Sequence, residues 1–141
     1  MALENPKEYV VGADTLVEID GISLGKPKDR EDAENMLKLL SGKIHRVITA
    51  YTFMNLEKKI SITNHVESLV YFKKISDEEI NWYLDSGEPM DKAGAYGIQG
   101  LGAIFVDKID GDFFSIMGFP INHFIKTLNM LDITVESLNK I

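Results

Sequence analysis

Two hydrophobic periods alternate along this chain, and the switches between them mark out its elements. Val10–Ile19 (VVGADTLVEI) reads as a strand interrupted at Gly12-Ala13-Asp14-Thr15. Its opening run is apolar on both faces, which predicts cover on both sides. Asp20-Gly21 is a turn signal, and Pro27 makes a loop of Gly25-Lys26-Pro27. Residues 29–41 then take up the helical period, with Ala33, Met36, Leu37 and Leu40 on one face. Asp29 suits the N-cap, Glu31 and Asp32 suit the first turn, and Gly42 suits the position after the last. Residues 44–53 and 60–72 return to β character on either side of Asn55-Leu56-Glu57-Lys58, predicting a long hairpin.

Ser76 followed by Glu79 forms a capping-box pattern, opening a helix that carries Ile80, Tyr83 and Leu84 and stops near Gly87. A glycine-rich loop spans residues 88–102. Residues 103–109 and 113–117 read as a second hairpin about Asp110-Gly111. Pro120 predicts a helix start at its first turn, with Ile121, Phe124, Ile125 and Leu128 as the apolar face. Residues 134–140 read as a short last helix. This order implies an α/β domain of mixed α+β character, one domain over residues 1–141, with helices flanking a central mixed sheet.

Composition narrows the function classes. A net charge of −7 excludes a generally basic nucleic-acid binder, though not a local cationic site. The absence of cysteine excludes disulfides and thiolate metal sites. No apolar run is long enough to span a membrane. The opening residues lack a basic stretch followed by an apolar one, so a cytoplasmic location is the expectation. His45, His65 and His123 fall on different elements and read as exposed or half-buried residues rather than metal ligands.

Two segments carry candidate chemistry. In the first, an apolar strand delivers Asp14 and Thr15, and Lys26 follows between a glycine and a proline that stiffen its direction. A lysine ammonium is a point charge suited to phosphate. On these residues alone, a turn-capping Asp14 and an ordinary surface Lys26 stand beside that reading. The second segment is the loop holding Glu88, Asp91, Lys92 and Gln99, whose glycines permit close backbone approach to a ligand. A Gln amide can read a base edge. Together the segments offer carboxylates at Asp14, Glu88 and Asp91 and cations at Lys26 and Lys92, the groups that hydrolysis of a triphosphate needs.

The motifs GADT (12–15), LGKP (24–27), AENMLKLLSGKIH (33–45), GEP (87–89), DKAGAYGIQG (91–100) and GFP (118–120) resemble the Maf family of nucleoside triphosphate pyrophosphatases over nearly the whole chain. The resemblance implies the Maf/inosine-triphosphatase-like fold and cleavage between the α- and β-phosphates, with a divalent cation, Mg or Mn, as cofactor. It implies Asp14 as proton acceptor, Lys26 and Lys92 near the phosphates, Thr15 and Gln99 in base specificity, and Glu88 and Asp91 as supporting loop residues. The Thr/Gln pair is similar to the subgroup acting on dTTP and UTP. The implied partner is the nucleotide, without nucleic acid or membrane, and a homodimer is compatible with the family. The family also begins with a strand and loop carrying Ser-x-Ser-Pro-Arg-Arg, which this sequence does not contain. The expectation is therefore an N-terminally shortened domain, starting at an internal methionine, with residues 1–5 as the end of a preceding helix. The rival function is a catalytically impaired remnant that binds a nucleotide or a partner.

Overall fold

A computed structural model describes residues 2–4 and 6–138. Five strands form one sheet in the order β2-β1-β3-β4-β5: β1 Val10–Ile19, β2 Ile22–Leu24, β3 Ile44–Asn55, β4 Ile60–Phe72 and β5 Val106–Asp110. The α/β class holds, but each pair in this sheet is antiparallel, where a mixed sheet was expected. Antiparallel hairpins need only short turns, and Asp20-Gly21 and residues 56–59 supply two of them.

The helices are α1 Arg30–Leu40, α2 Asp77–Asp85, α3 Phe113–Met117, α4 Ile121–Met130 and α5 Val135–Leu138. Asp29 caps α1 by accepting the Asp32 N–H, and Ser76 and Glu79 close a reciprocal capping box on α2. Along β3 burial alternates strictly, so odd-numbered residues from His45 to Asn55 face the helices and even-numbered ones face outward. The main core packs Ala33, Leu37 and Leu40 of α1 and Ile80 and Tyr83 of α2 onto Val17, Val47, Val70 and Phe72. Further along the same face, Tyr51 bonds Thr127 of α4 at 2.6 Å and His123 at 2.9 Å.

Several expectations change. β1 is continuous through Gly12–Thr15, because Ala13, Asp14 and Thr15 sit opposite Tyr51, Ala50 and Thr49 in unbroken register. Its opening run is not covered on both sides: Val11, Gly12 and Ala13 are exposed, and β2 pairs with β1 only from Val17 to Ile19. Residues 113–117 form helix α3 rather than a strand. The Asp112 carboxylate accepts the Phe114 N–H, the Ser115 hydroxyl bonds the Asp112 carbonyl, and only Ser115 and Ile116 are buried. Residues 101–105 make a 3-10 turn ahead of β5. Pro120 occupies the cap of α4, one position before the first turn. Ala2, Leu3 and Glu4 form a turn rather than a helix end, and Met1 and Asn5 lie outside the described residues. The last helix is described over Val135–Leu138, and the expected residues 139–140 lie outside.

His45 also departs from expectation, being 1% exposed. Its Nε2 lies 2.6 Å from the Tyr96 hydroxyl, its ring meets Phe72 edge-on, and its Nδ1 has no hydrogen-bond partner among the described residues. Burial lowers its pKa from 6.5 to about 4. The unfolded chain therefore binds more protons than the folded one between those values, and stability falls as pH drops through that window. Chemical denaturation between pH 7 and pH 4 should show a His45-dependent loss of roughly 3 kcal/mol, by the conversion of about 1.4 kcal/mol per unit. His45→Phe should remove that part of the slope; an unchanged slope would show that His45 does not carry it.

Candidate active site

The sheet face that carries the helices is not fully covered. Between α3 and the 88–102 segment, an open cleft of about 320 Å³ lies over Ala13, Thr15 and Val17 of β1 and Val47 of β3. Asp14, Lys26, Asp91, Lys92 and Gln99 also line it, so the structure gathers six sequence-predicted site residues, Thr15 included, in one place. Glu88 alone stands apart from that lining.

Strand alternation would send Asp14 to the opposite face from Thr15. It reaches the cleft because β1 has no neighbour on its outer side at that height: β2 pairs only with residues 17–19. The Asp14 carboxylate turns along this open edge and accepts the Thr15 N–H at 3.0 Å. It is solvent-exposed there, where a water can reach it.

The two lysines arrive on loops joined by backbone. The Gly94 N–H donates to the Gly25 carbonyl at 3.1 Å, tying the Lys26 turn to the Lys92 turn. Gly94 has φ +73°, and a Cβ there would stand 3.0–3.2 Å from three side-chain carbons of Val17. Any larger residue here would be strained in the left-handed backbone and would press on Val17. Lys92 Nζ pairs with Asp91 at 2.8 Å and reaches the Glu88 carbonyl at 3.3 Å. Hydrogen bonding and charge from Lys92, with a smaller contribution from Lys26, hold the Asp91 carboxyl below its ordinary pKa.

Glu88 faces inward. Its carboxylate accepts the Leu101 N–H at 2.9 Å and the Gly102 N–H at 3.0 Å. Burial pushes its pKa up, but Tyr83, these two N–H groups and Lys92 outweigh burial and keep it ionised. The Tyr83 hydroxyl accepts the Gly97 N–H at 3.0 Å. A Cβ at Gly100 would overlap the Glu88 carboxylate, and one at Gly102 would stand 2.7 Å from the Gly97 carbonyl oxygen. Gly100 and Gly102 therefore serve internal packing around Glu88 and Tyr83, while Gly97 of the same loop lines the cleft.

Four residues at the cleft were given no role from the sequence. Ile116 and Met117 form a wall because 113–117 is a helix. Tyr96 lines the cleft and is held by the buried His45. Thr49, fully buried, bonds Thr15 from the neighbouring strand at 2.9 Å. The signal for Thr49 was available: it is a polar residue in phase with Val47 and Tyr51 on the inward face of β3.

Among the described residues, no three His, Asp or Glu side chains gather as a closed metal site. The residue types nevertheless fit a hard divalent cation: Asp14 and Asp91 both line the cleft, and one oxygen of each carboxylate is left over from its bond to the Thr15 N–H or to Lys92. Mg²⁺ is commonly held by one or two carboxylates with water and substrate phosphates completing its shell. Because Glu88 satisfies two backbone donors, Glu88→Ala should cost about 2 kcal/mol and loosen the cleft wall. Chemical denaturation checks the first effect, and faster amide exchange over residues 97–102 checks the second.

Comparison with known proteins identifies the family. The family model described as Maf-like protein matches residues 1–131. The chain is 55% identical over its full length to a dTTP/UTP pyrophosphatase of Fusobacterium nucleatum, covering 73% of that protein. It is 51% identical to the dTTP/UTP pyrophosphatase of Bacillus pumilus over 92% of this chain and 68% of that one. For the dTTP/UTP pyrophosphatase of Alkaliphilus oremlandii the identity is 57%, over 79% of this chain and 58% of the relative. The chain thus spans only part of the length of these relatives, and it belongs to the Maf family.

Proposed function

We propose that this chain is a nucleoside triphosphate pyrophosphatase acting on dTTP and UTP, and on modified pyrimidine nucleotides that keep the same base edge. Water adds across the α–β phosphoanhydride bond, releasing the monophosphate and pyrophosphate. The observation that carries the reading is the convergence of Asp14, Lys26, Lys92, Thr15 and Gln99 on one cleft. The activity for which the similar proteins are named supports it.

In this reading the exposed Asp14 carboxylate accepts the proton of the attacking water, and its bond to the Thr15 N–H fixes its direction. Lys26 and Lys92 offset charge on the phosphates, and the bond between their loops sets both lysine backbones beside the cleft before substrate arrives. Asp14, assisted by Asp91, would hold a divalent cation, which supplies further neutralisation of phosphate charge when bound. Thr15 and Gln99 meet the base. Asp91 keeps the Lys92 ammonium beside the cleft. Removal of surplus or non-standard pyrimidine nucleotides in the cytoplasm is the corresponding role. The presence of acid, cations and amide in one cleft favours turnover over a remnant that only binds.

The test is pyrophosphate release from dTTP, UTP, CTP and GTP with Mg²⁺ or Mn²⁺. Release from dTTP and UTP in preference to the others is expected. Asp14→Asn should lower kcat by at least about 10², the lower range for a lost general base. Lys26→Ala and Lys92→Ala should each lower kcat/KM by about 10² through lost charge stabilisation. Undiminished release by Asp14→Asn would remove that residue from the chemistry.

A further inference from the structure

Thr49 stands on β3 directly opposite Thr15 of β1, and no part of it is exposed. Its hydroxyl donates to the carbonyl oxygen of Ser115, in α3, at 2.6 Å. A carbonyl has no proton to give, so the single proton of Thr49 is committed to that bond. The hydroxyl oxygens of Thr15 and Thr49 are 2.9 Å apart. Between them, Thr49 can only accept, and Thr15 must therefore donate. The proton of Thr15 is therefore taken up by Thr49, and toward any cleft ligand the Thr15 hydroxyl oxygen can only accept.

This polarity has a consequence for what can lie there. An oxygen with no proton to offer repels a phosphate oxygen and accepts from an N–H or O–H group. The neighbouring cleft residues Ile116 and Met117 follow Ser115 in α3, so the same carbonyl that orients Thr49 belongs to an apolar wall suited to a planar base. Phosphate is better served by Lys26 and Lys92.

We propose that Thr49 is a specificity-determining positioning residue: through the Ser115 carbonyl it holds Thr15 as an obligate hydrogen-bond acceptor, which selects a pyrimidine carrying an imide N–H, as uracil and thymine do, over cytosine, which presents a lone pair at that ring nitrogen. The inference rests on the pyrimidine nucleotide reading above and adds to it a residue that does not touch the substrate. A site built to accept from an N–H strongly disfavours a ligand that places a lone pair there, because both acceptors are left unpaired.

The test compares kcat/KM for UTP and CTP in the wild type, Thr49→Val and Thr49→Ser, with circular dichroism and unfolding curves for each. In Thr49→Val the hydroxyl of Thr15 is free to turn and donate to cytosine, so the UTP-to-CTP ratio should fall by about tenfold or more. Thr49→Ser keeps the relay and should restore the ratio. Thr15→Val should lose UTP turnover without regaining CTP. A folded Thr49→Val that keeps the wild-type ratio overturns the proposal. Equal losses for UTP and CTP also overturn it, because they would place the shared ribose, not the base, at Thr15. A wild type that turns over neither nucleotide fells the functional reading and this inference together, whereas a UTP-preferring wild type with an indifferent Thr49→Val fells this inference alone.

Discussion

The seating of Gly94 on Val17 is the constraint on which the cleft depends. Val17 is a core residue of β1, 2% exposed, and the loop backbone reaches it only because position 94 has no side chain. At that point the loop N–H reaches across to the Gly25 carbonyl. One contact between strand and loop thereby sets two cationic arms, with Lys26 next to Gly25 and Lys92 two residues before Gly94. The chain carries a net charge of −7, so a polyanion has no general attraction to it. Any affinity for a triphosphate must come from local cations, and this contact sets the loops that carry two of them.

The remainder of the glycine-rich segment is braced from within. Glu88 neutralises two backbone donors, Tyr83 a third, and His45 holds Tyr96 from the sheet side. Residues 94–98 are buried, so the segment is a packed wall. Such bracing favours a site whose dipoles and charges need little reorganisation when substrate binds. The opposite wall, α3, is fastened to the sheet through the Thr49–Ser115 bond, and the same bond sets the polarity of Thr15.

Much of this was legible in the residues. The Asp29 cap, the Ser76–Glu79 box and the two long strands carry local signals that tertiary packing did not override. Lys92 and Gln99 stood out by their glycine-rich setting, Asp14 and Lys26 only once the family resemblance was added to residues that also suit a turn cap and a surface lysine, and the cleft unites all four. What failed depends on distance. Five residues, Phe-Phe-Ser-Ile-Met, are too few to separate a helical from an extended period, and Asp112 decided the matter as a cap. Strand direction is a property of pairs, so no single run could reveal that the sheet is antiparallel. The inward turn of Glu88 required knowing that Leu101 and Gly102 would return to it. The open outer edge of β1, which lets Asp14 into the cleft, required knowing how short β2 is.

The central claim is that one nucleotide lies across this cleft with its phosphates at Lys26 and Lys92 and its base at Thr15 and Gln99. A crystal structure with α,β-methylene-UTP, whose bridging carbon resists hydrolysis, tests it most directly. The account predicts the triphosphate between the two lysine loops, the α-phosphate facing Asp14, and the uracil imide N–H directed at the Thr15 oxygen. A nucleotide bound elsewhere, or bound in this cleft with its phosphates against Thr15 and its base among the lysines, would contradict it.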